Sequence, residues 1–567
     1  MTARLLAFMI KHCRLPSAEP GKVAQNRLWF ATASAVAVML ILSVQVASLA
    51  MVQPITPDKV AEKPETVLRG KIYDSKGRVL ATSFPAWELY ADPARVMNPR
   101  AAAEALDPLL PHLTEAEILK RLKRKSRYVE LDWKISSATY ASVLEAGIVG
   151  VYARQRPIRS YPFLNEAAHL LGGVNKDGKG IAGVEAGFDE ILARGDDLTL
   201  SVDIAVQSIL REEIEHQIER FEAIGGAGVV LDAHTGEIVA MVSLPDYDAN
   251  FLGSADADAR FNRASKGVYE LGSTFKIFNT AMALDSGIFA ATDMIDVVSP
   301  LRVGRFSIRD HHPEKRPLNV AEVMVVSSNK GSGRIADRMG AEIQQHYIKA
   351  LGLMDRLDIG LPESADPITP KRWKRAEIIT ISYGYGLSVT PVHLVSAIAT
   401  TVGTGRRIQP SLIKGGHQDS VEEQVFDEKT ARMIRPIMRR VVTHRRGTGK
   451  KANAPGYAVG GKTGTSEKIN STSGYNRKVN ITTFAGIFPA HDPRYVVMVM
   501  VDAPKGQKFS HGWATGGWVA APAVRRFVSR AAPLLGVHPV DEKSPEISQI
   551  LDIKLPNLEP EVKNVSQ

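Results

Sequence analysis

Tyr269-Glu270-Leu271-Gly272-Ser273-Thr274-Phe275-Lys276-Ile277-Phe278-Asn279-Thr280-Ala281-Met282-Ala283-Leu284 is the stretch on which the reading of the chain turns. Gly272 permits a tight turn, and the nearly all-apolar run after it reads as a buried helix. Ser273 then falls at or near the helix N-terminus, where unpaired backbone N–H groups and the macrodipole favour negative charge. Lys276, three residues on, shares a face with Ser273 and can reach its hydroxyl. A lysine at the start of such a helix is partly desolvated, which lowers its pKa and makes a neutral amine available as a base. The same pattern also fits a plain buried helix with a serine cap and a lysine reaching solvent. Context from the rest of the chain has to discriminate.

Two further short motifs supply that context. Val325-Val326-Ser327-Ser328-Asn329-Lys330 offers a Ser-x-Asn, and Val459-Gly460-Gly461-Lys462-Thr463-Gly464-Thr465-Ser466 offers a Lys-Thr-Gly. Taken singly, the first is an ordinary helix or turn cap and the second an edge-strand residue before a bend. As an ordered triple they form a chemical set. Acyl transfer from a peptide needs an activated hydroxyl, a proton carrier to the leaving amine and donors for the oxyanion. Ser273 can be the nucleophile and Lys276 its base. Ser327 can relay the proton to the departing nitrogen, and Asn329 can hold the substrate amide. Lys462, Thr463 and Thr465 can bind a carboxylate, while Gly464 lets the acyl group lie against the strand backbone. The N–H groups of Ser273 and Thr465 can then form the oxyanion hole.

The chain is long enough, at 567 residues, for two or three domains. Residues 28–50 carry no charge and are long enough to cross a bilayer as a helix. Arg4, Lys11, Arg14, Lys22 and Arg27 precede them against Glu19 alone, which puts the N-terminus in the cytoplasm and the rest outside. Ser48-Leu49-Ala50 resembles a signal-peptide cleavage site, but the apolar run is too long for a signal h-region. Cys13, the only cysteine, falls on the cytoplasmic side, so the exported part uses no disulfide and no thiol chemistry. The net charge of +10 is mild for this length and suits anionic lipid or cell-wall polymer as well as nucleic acid. Nucleic acid drops out once the chain is exported.

Between anchor and motif the patterns are structural. Residues 51–66 read as a linker, and 68–81 as a hairpin around an Asp-x-x-Gly turn. A helical run covers 99–125, with Thr114 and Glu117 spaced as a capping box. The basic cluster Lys120 to Arg127 reads as a solvated face. Helix 203–221 and the strand pair 227–232 and 236–243 open a second domain. Asp310-His311-His312 with Glu314 lacks zinc-type spacing and reads as structural or as a substrate loop, so no metal is expected. Gly447-Thr448-Gly449-Lys450 lacks the phosphate-loop spacing, and no nucleotide or other cofactor is expected.

The triple matches the penicillin-recognising serine enzymes. More narrowly, the chain resembles the class B penicillin-binding proteins of the septal FtsI type, which are monofunctional peptidoglycan D,D-transpeptidases. The likeness spans nearly the whole chain. It includes the single anchor, Arg69-Gly70 to Ala81, Asp177-Gly178-Lys179-Gly180-Ile181-Ala182-Gly183-Val184-Glu185, Asn262-Arg263-Ala264 and Ser382-Tyr383-Gly384-Tyr385-Gly386-Leu387-Ser388-Val389-Thr390-Pro391. Leu271 departs from it, standing where the family usually has proline.

The resemblance implies an α/β (α+β) transpeptidase fold with an antiparallel sheet between helices, an elongated α+β pedestal and one transmembrane helix. The implied domains are a cytoplasmic tail at 1–27, an anchor at 28–50, a dimerisation-type pedestal at 51–202, a transpeptidase domain at 203–535 and a tail at 536–567. Ser273, Lys276, Ser327 and Asn329 carry catalysis in this reading; Lys462, Thr463, Gly464 and Thr465 bind substrate. Stem peptides on lipid II-derived glycan strands are the implied substrate, and β-lactams the covalent inhibitors. An FtsW-type glycosyltransferase of the SEDS class and other division proteins are the implied partners, at the septum of the inner membrane, with the catalytic domain periplasmic.

An elongation-type transpeptidase, a D,D-carboxypeptidase and a β-lactamase are the competing enzymes. Class D β-lactamases share Ser-Thr-Phe-Lys, but the anchor, the large N-terminal domain and Tyr383-Gly384-Tyr385 in place of Tyr-Gly-Asn stand against that family. A silent scaffold or a β-lactam sensor would be the non-enzyme alternative. The intact set of motif residues opposes the first, and the lack of an output domain opposes the second.

Overall fold

The computed structural model describes residues 20–51, 68–416, 423–470 and 474–553. Cys13, the start of the cytoplasmic tail, most of the linker and the last part of the C-terminal tail lie outside the described residues. Residues up to Val67 and residues from Leu68 onward are separate units. The first contributes helix α1 (Pro20–Met51), whose segment Leu28–Ser48 is long and apolar enough to span a bilayer.

The second unit begins with the expected hairpin. Strand β1 (Ile72–Tyr73) pairs antiparallel with β2 (Val79–Ala91), and the Asp74 carboxylate closes the turn by accepting the N–H groups of Lys76 at 3.0 Å and Arg78 at 2.8 Å. Gly77 takes the left-handed conformation there, with φ +82°. Strands β3 (Val129–Ile135) and β4 (Val151–Ser160) both pair with β2, and β5 (Leu198–Thr199) lies parallel to β1. The helical run expected over 99–125 is two helices, α2 (Pro99–Leu106) and α3 (Glu115–Leu122). The break falls at Asp107-Pro108, where proline removes a donor and turns the chain into a short 3-10 segment. The capping box at Thr114 and Glu117 is present in both directions. Helix α4 (Ser137–Glu145) follows β3, and Leu89, Leu106, Ile118, Leu122, Leu131 and Val143 form the core of this lobe.

The stretches Arg69–Ala81 and Asp177–Glu185 meet at a buried cluster of ion pairs. Glu185 is fully buried, and its two carboxylate oxygens accept from Arg69 and Arg159 at 2.6 Å each. Arg69 also reaches Asp189 at 2.7 Å, and Arg159 donates to the Gly70 carbonyl at 2.7 Å.

The catalytic lobe follows helix α5 (Ile204–Arg220) and is built on one antiparallel five-stranded sheet. Its strands are β6 (Gly225–Asp232), β7 (Ile238–Leu244), β8 (Gly460–Asn470), β9 (Gly474–Phe488) and β10 (Tyr495–Asp502), in spatial order β8-β9-β10-β6-β7. Both faces are covered, so β10 reads Tyr-Val-Val-Met-Val-Met-Val-Asp with no polar alternation. Met498 and Met500 pack with helices α6 (Lys276–Asp285) and α9 (Pro391–Val402), while Val497 and Val499 pack with α5 and α11 (Ala520–Ala531). Helices α7 (Val320–Val326), α8 (Asn329–Ala350) and α10 (Glu428–Thr443) complete the α6 side.

One expectation needs correction. Residues 536–553 are not a free tail, because helix α12 (Pro545–Leu551) docks on the catalytic lobe. Leu551 is buried, and Ile547 packs beside it at helical spacing. Arg439 on α10 pairs with Glu542, and Arg440 meets Asp552 at 2.9 Å. Three apolar residues, Ile547, Ile550 and Leu551, in so short and polar a stretch are too faint a pattern to read as a docked helix.

Candidate active site

Gly272 to Phe275 form a 3-10 turn that runs directly into α6, so Ser273 sits one turn ahead of the helix. Gly272 has φ +56°, and a Cβ there would meet the Thr465 carbonyl oxygen at 2.8 Å. The close approach to strand β8 therefore demands glycine. From the opposite side Gly384 presses on the same turn: a Cβ on it would lie 1.9 Å from the Gly272 carbonyl oxygen. Backbone pairing of Tyr269 with Val389 ties the Ser382–Pro391 segment to the residues just before the turn.

Lys276 is 1% exposed, and its Nζ is the hub of the site. It lies 2.9 Å from Ser273 Oγ, 3.0 Å from the Ser327 carbonyl oxygen, 3.2 Å from Ser327 Oγ and 2.6 Å from Asn329 Oδ1. Burial lowers its pKa to about 7, against the opposing pull of the Asp310 carboxylate. Lys462 projects from the edge strand β8, is fully buried, and donates to Ser327 Oγ at 2.9 Å and to the Thr463 carbonyl at 3.1 Å. Burial, with the neighbouring Lys276 adding to it, pushes the Lys462 pKa well below the ordinary lysine range.

Ser327 stands between the two lysines because it ends α7 in the left-handed conformation, with φ +64°. That backbone is unfavourable for a serine and turns the chain sharply into α8. Asn329 opens α8, so its side chain returns to Lys276. Gly464 is required for a second close contact, since a Cβ there would lie 2.3 Å from the Leu271 carbonyl oxygen. Thr465 is held from outside by the Gly516 N–H, which donates to its hydroxyl at 3.1 Å. Ser273, Lys276, Ser327, Asn329 and Lys462 are thus linked by direct hydrogen bonds, and Thr463, Gly464 and Thr465 line the adjoining strand.

Two contributors were not assigned a site role from sequence. Thr448 Oγ1 lies 2.7 Å from Thr463 Oγ1, so the rejected phosphate-loop stretch instead adds a hydroxyl beside the Lys-Thr-Gly motif. Asp310, read as structural or as part of a substrate loop, accepts from the Asn329 N–H at 2.5 Å. His311 beside it meets Trp513 edge to face at 5.5 Å. No group of three or more His, Cys, Asp or Glu that could hold a metal occurs among the described residues.

Comparison with known proteins bears on the same residues. The family described as penicillin binding protein transpeptidase domain matches residues 226–529, and the penicillin-binding protein dimerisation domain matches 64–198. The probable peptidoglycan D,D-transpeptidase FtsI of Caulobacter vibrioides is 37% identical over 487 residues, covering 83% of this chain and 82% of that protein. The chain belongs to the class B penicillin-binding proteins of the FtsI type. FtsI of Escherichia coli K12 is 28% identical over 88% of this chain and 91% of its own. The fold is shared with penicillin binding protein 3 of Mycobacterium tuberculosis complexed with ampicillin, at TM-score 0.67 and 24% identity over 85% of this chain and 98% of that one.

Proposed function

We propose that this penicillin-binding protein is a serine D,D-transpeptidase that cross-links peptidoglycan stem peptides through an acyl-enzyme on Ser273. The observation that carries the reading is Lys276, a buried amine with a pKa of about 7 that touches Ser273, Ser327 and Asn329 together. Near neutral pH a large share of it is unprotonated and can take the Ser273 proton as Oγ attacks the D-Ala–D-Ala carbonyl. The backbone N–H groups of Ser273 and Thr465 receive the developing oxyanion. Ser327, bonded to both lysines, returns a proton to the departing D-Ala nitrogen, while Asn329 holds the substrate amide. Lys462, Thr463 and Thr465 take the terminal carboxylate, and Gly464 leaves room for the acyl chain. An amine of a second stem peptide then resolves the acyl-enzyme and forms the cross-link. A β-lactam acylates Ser273 in the same way and acts as a covalent inhibitor. Relatives named as peptidoglycan D,D-transpeptidases support this chemistry.

The wider setting is part of the same proposal, and family membership supports it. Residues 1–27 are the cytoplasmic tail, 28–50 the single-pass inner-membrane anchor, 51–202 the pedestal and 203–535 the transpeptidase domain, with 536–553 joined to it. The catalytic domain works in the periplasm at the division septum, on glycan strands derived from lipid II. An FtsW-type glycosyltransferase and other division proteins are its partners.

Labelling of intact cells with a fluorescent penicillin tests the reading. A labelled band that is lost in Ser273→Ala, together with release of D-Ala when purified wild type joins two stem peptides, is the expected result. Label retained in Ser273→Ala overturns it. Protease digestion of spheroplasts checks orientation, since a periplasmic catalytic domain is cut without lysis and a cytoplasmic one is not.

A further inference from the structure

Helix α8 begins on a carboxylate that belongs to another part of the chain. Asp310 follows a small hairpin of strands Leu301–Val303 and Phe306–Ile308, and both of its oxygens are engaged. Oδ1 accepts the N–H of Asn329 at 2.5 Å and that of Lys330 at 2.9 Å, while Oδ2 accepts the Ser328 hydroxyl at 2.8 Å. These three donors are consecutive residues at the first turn of α8. A carboxylate there also meets the favourable end of the helix macrodipole. The residue before Asp310 completes the grip, because the Arg309 carbonyl accepts from Asn329 Nδ2 at 3.1 Å. One loop thus fixes both the backbone and the amide of Asn329, and leaves Oδ1 of that amide aimed at Lys276.

We infer that Asp310 is a positioning residue for acyl transfer, acting through Ser328 and Asn329 on the contacts that Lys276 makes. The inference rests on the reading of Ser273 as nucleophile and goes beyond it by assigning a role outside the three motifs. Ser327 is the residue most dependent on this support. Its left-handed backbone is unfavourable, and it is flanked on its C-terminal side by the Asp310 bonds to Ser328 and Asn329. Without them the turn relaxes toward an ordinary conformation, and Ser327 Oγ and Asn329 Oδ1 leave their places around Lys276.

Asp310 carries a second, separable effect through its charge. The charged groups facing Lys276 are Lys462 from strand β8 and Asp310 from this loop, and only the carboxylate favours the protonated amine. Arg309 and Lys330 lie next to the carboxylate, and Glu314 is occupied by Arg446.

The test compares full-length wild type, Asp310→Ala, Asp310→Asn and Ser273→Ala for the acylation rate with a fluorescent penicillin, at pH values below and above 7. Unfolding midpoints are measured in parallel. Asp310→Ala should acylate about 10–100-fold more slowly at the plateau, the scale of a misplaced catalytic group. Asp310→Asn keeps the shape and an acceptor for both N–H groups, so it should recover most of the plateau. Having lost the charge, it should also move the rising limb of the pH profile to lower pH. Wild-type rates in Asp310→Ala overturn the inference, as does a loss in Asp310→Ala that a smaller folded fraction accounts for in full. Labelling that persists in Ser273→Ala overturns the reading of the nucleophile, and the inference with it.

Discussion

In the pedestal, Glu185 is fully buried with Arg69 on one oxygen and Arg159 on the other, and Arg69 has Asp189 as a further partner. In the catalytic lobe, Lys276 and Lys462 are buried just as deeply, yet among the described residues no carboxylate bonds to either ammonium. The first cluster brings opposite charges together, so breaking it leaves a charge stranded in the interior. The second brings like charges together and supplies only neutral oxygens, so burial lowers both lysine pKa values. Compensated burial locks a lobe in one arrangement. Uncompensated burial keeps an amine ready to exchange a proton at neutral pH.

Lys276→Arg should silence the second cluster. A guanidinium does not give up its proton, so acylation of Ser273 should fall by about 10³-fold in a fluorescent-penicillin rate assay. A rate close to wild type would mean that the buried amine is not the base. Glu185→Ala should act on the other cluster, lowering stability by roughly 3–5 kcal/mol in urea unfolding. The acylation rate per folded molecule should stay near wild type, and a large fall would join the two clusters functionally. Wild-type acylation should rise with pH through about 7, because the neutral form of Lys276 is the base and protonation below its pKa removes it. A rate that is flat from pH 6 to 8 would detach the chemistry from that amine. The smallest effect belongs to the pedestal surface, where Thr114→Ala removes a helix cap and should cost about 1 kcal/mol with no change in acylation.

Local chemistry was legible in the sequence; contacts between distant stretches were not. The glycine before Ser273, the spacing of Lys276, the Asp74 turn and the Thr114 capping box each depend on residues within a few positions of one another. Strands β6 and β7 could be read because they are apolar runs bounded by turn residues. Asp310 could not be given its partners, because Ser328 and Asn329 lie on a different element and nothing in Arg-Asp-His-His specifies a helix start 18 residues further along the chain. The pressure of Gly384 on Gly272 was equally hidden, since a close backbone approach leaves only a glycine as its trace. The docking of α12 depends on Arg439 and Arg440 of α10 and on an apolar cluster that only folding brings to Leu551.

Nζ of Lys276 has more acceptors around it than it can serve. Four oxygens lie within hydrogen-bond distance of Nζ, whereas an ammonium has three N–H groups and a neutral amine has two and a lone pair. Once the proton leaves, the amine turns its lone pair to the Ser273 hydroxyl and can serve only two of the remaining three acceptors. Ser327 Oγ is the one with another donor at hand, Lys462 at 2.9 Å. The second lysine is therefore a reserve donor: it keeps the serine between them hydrogen-bonded while the first lysine changes its protonation state.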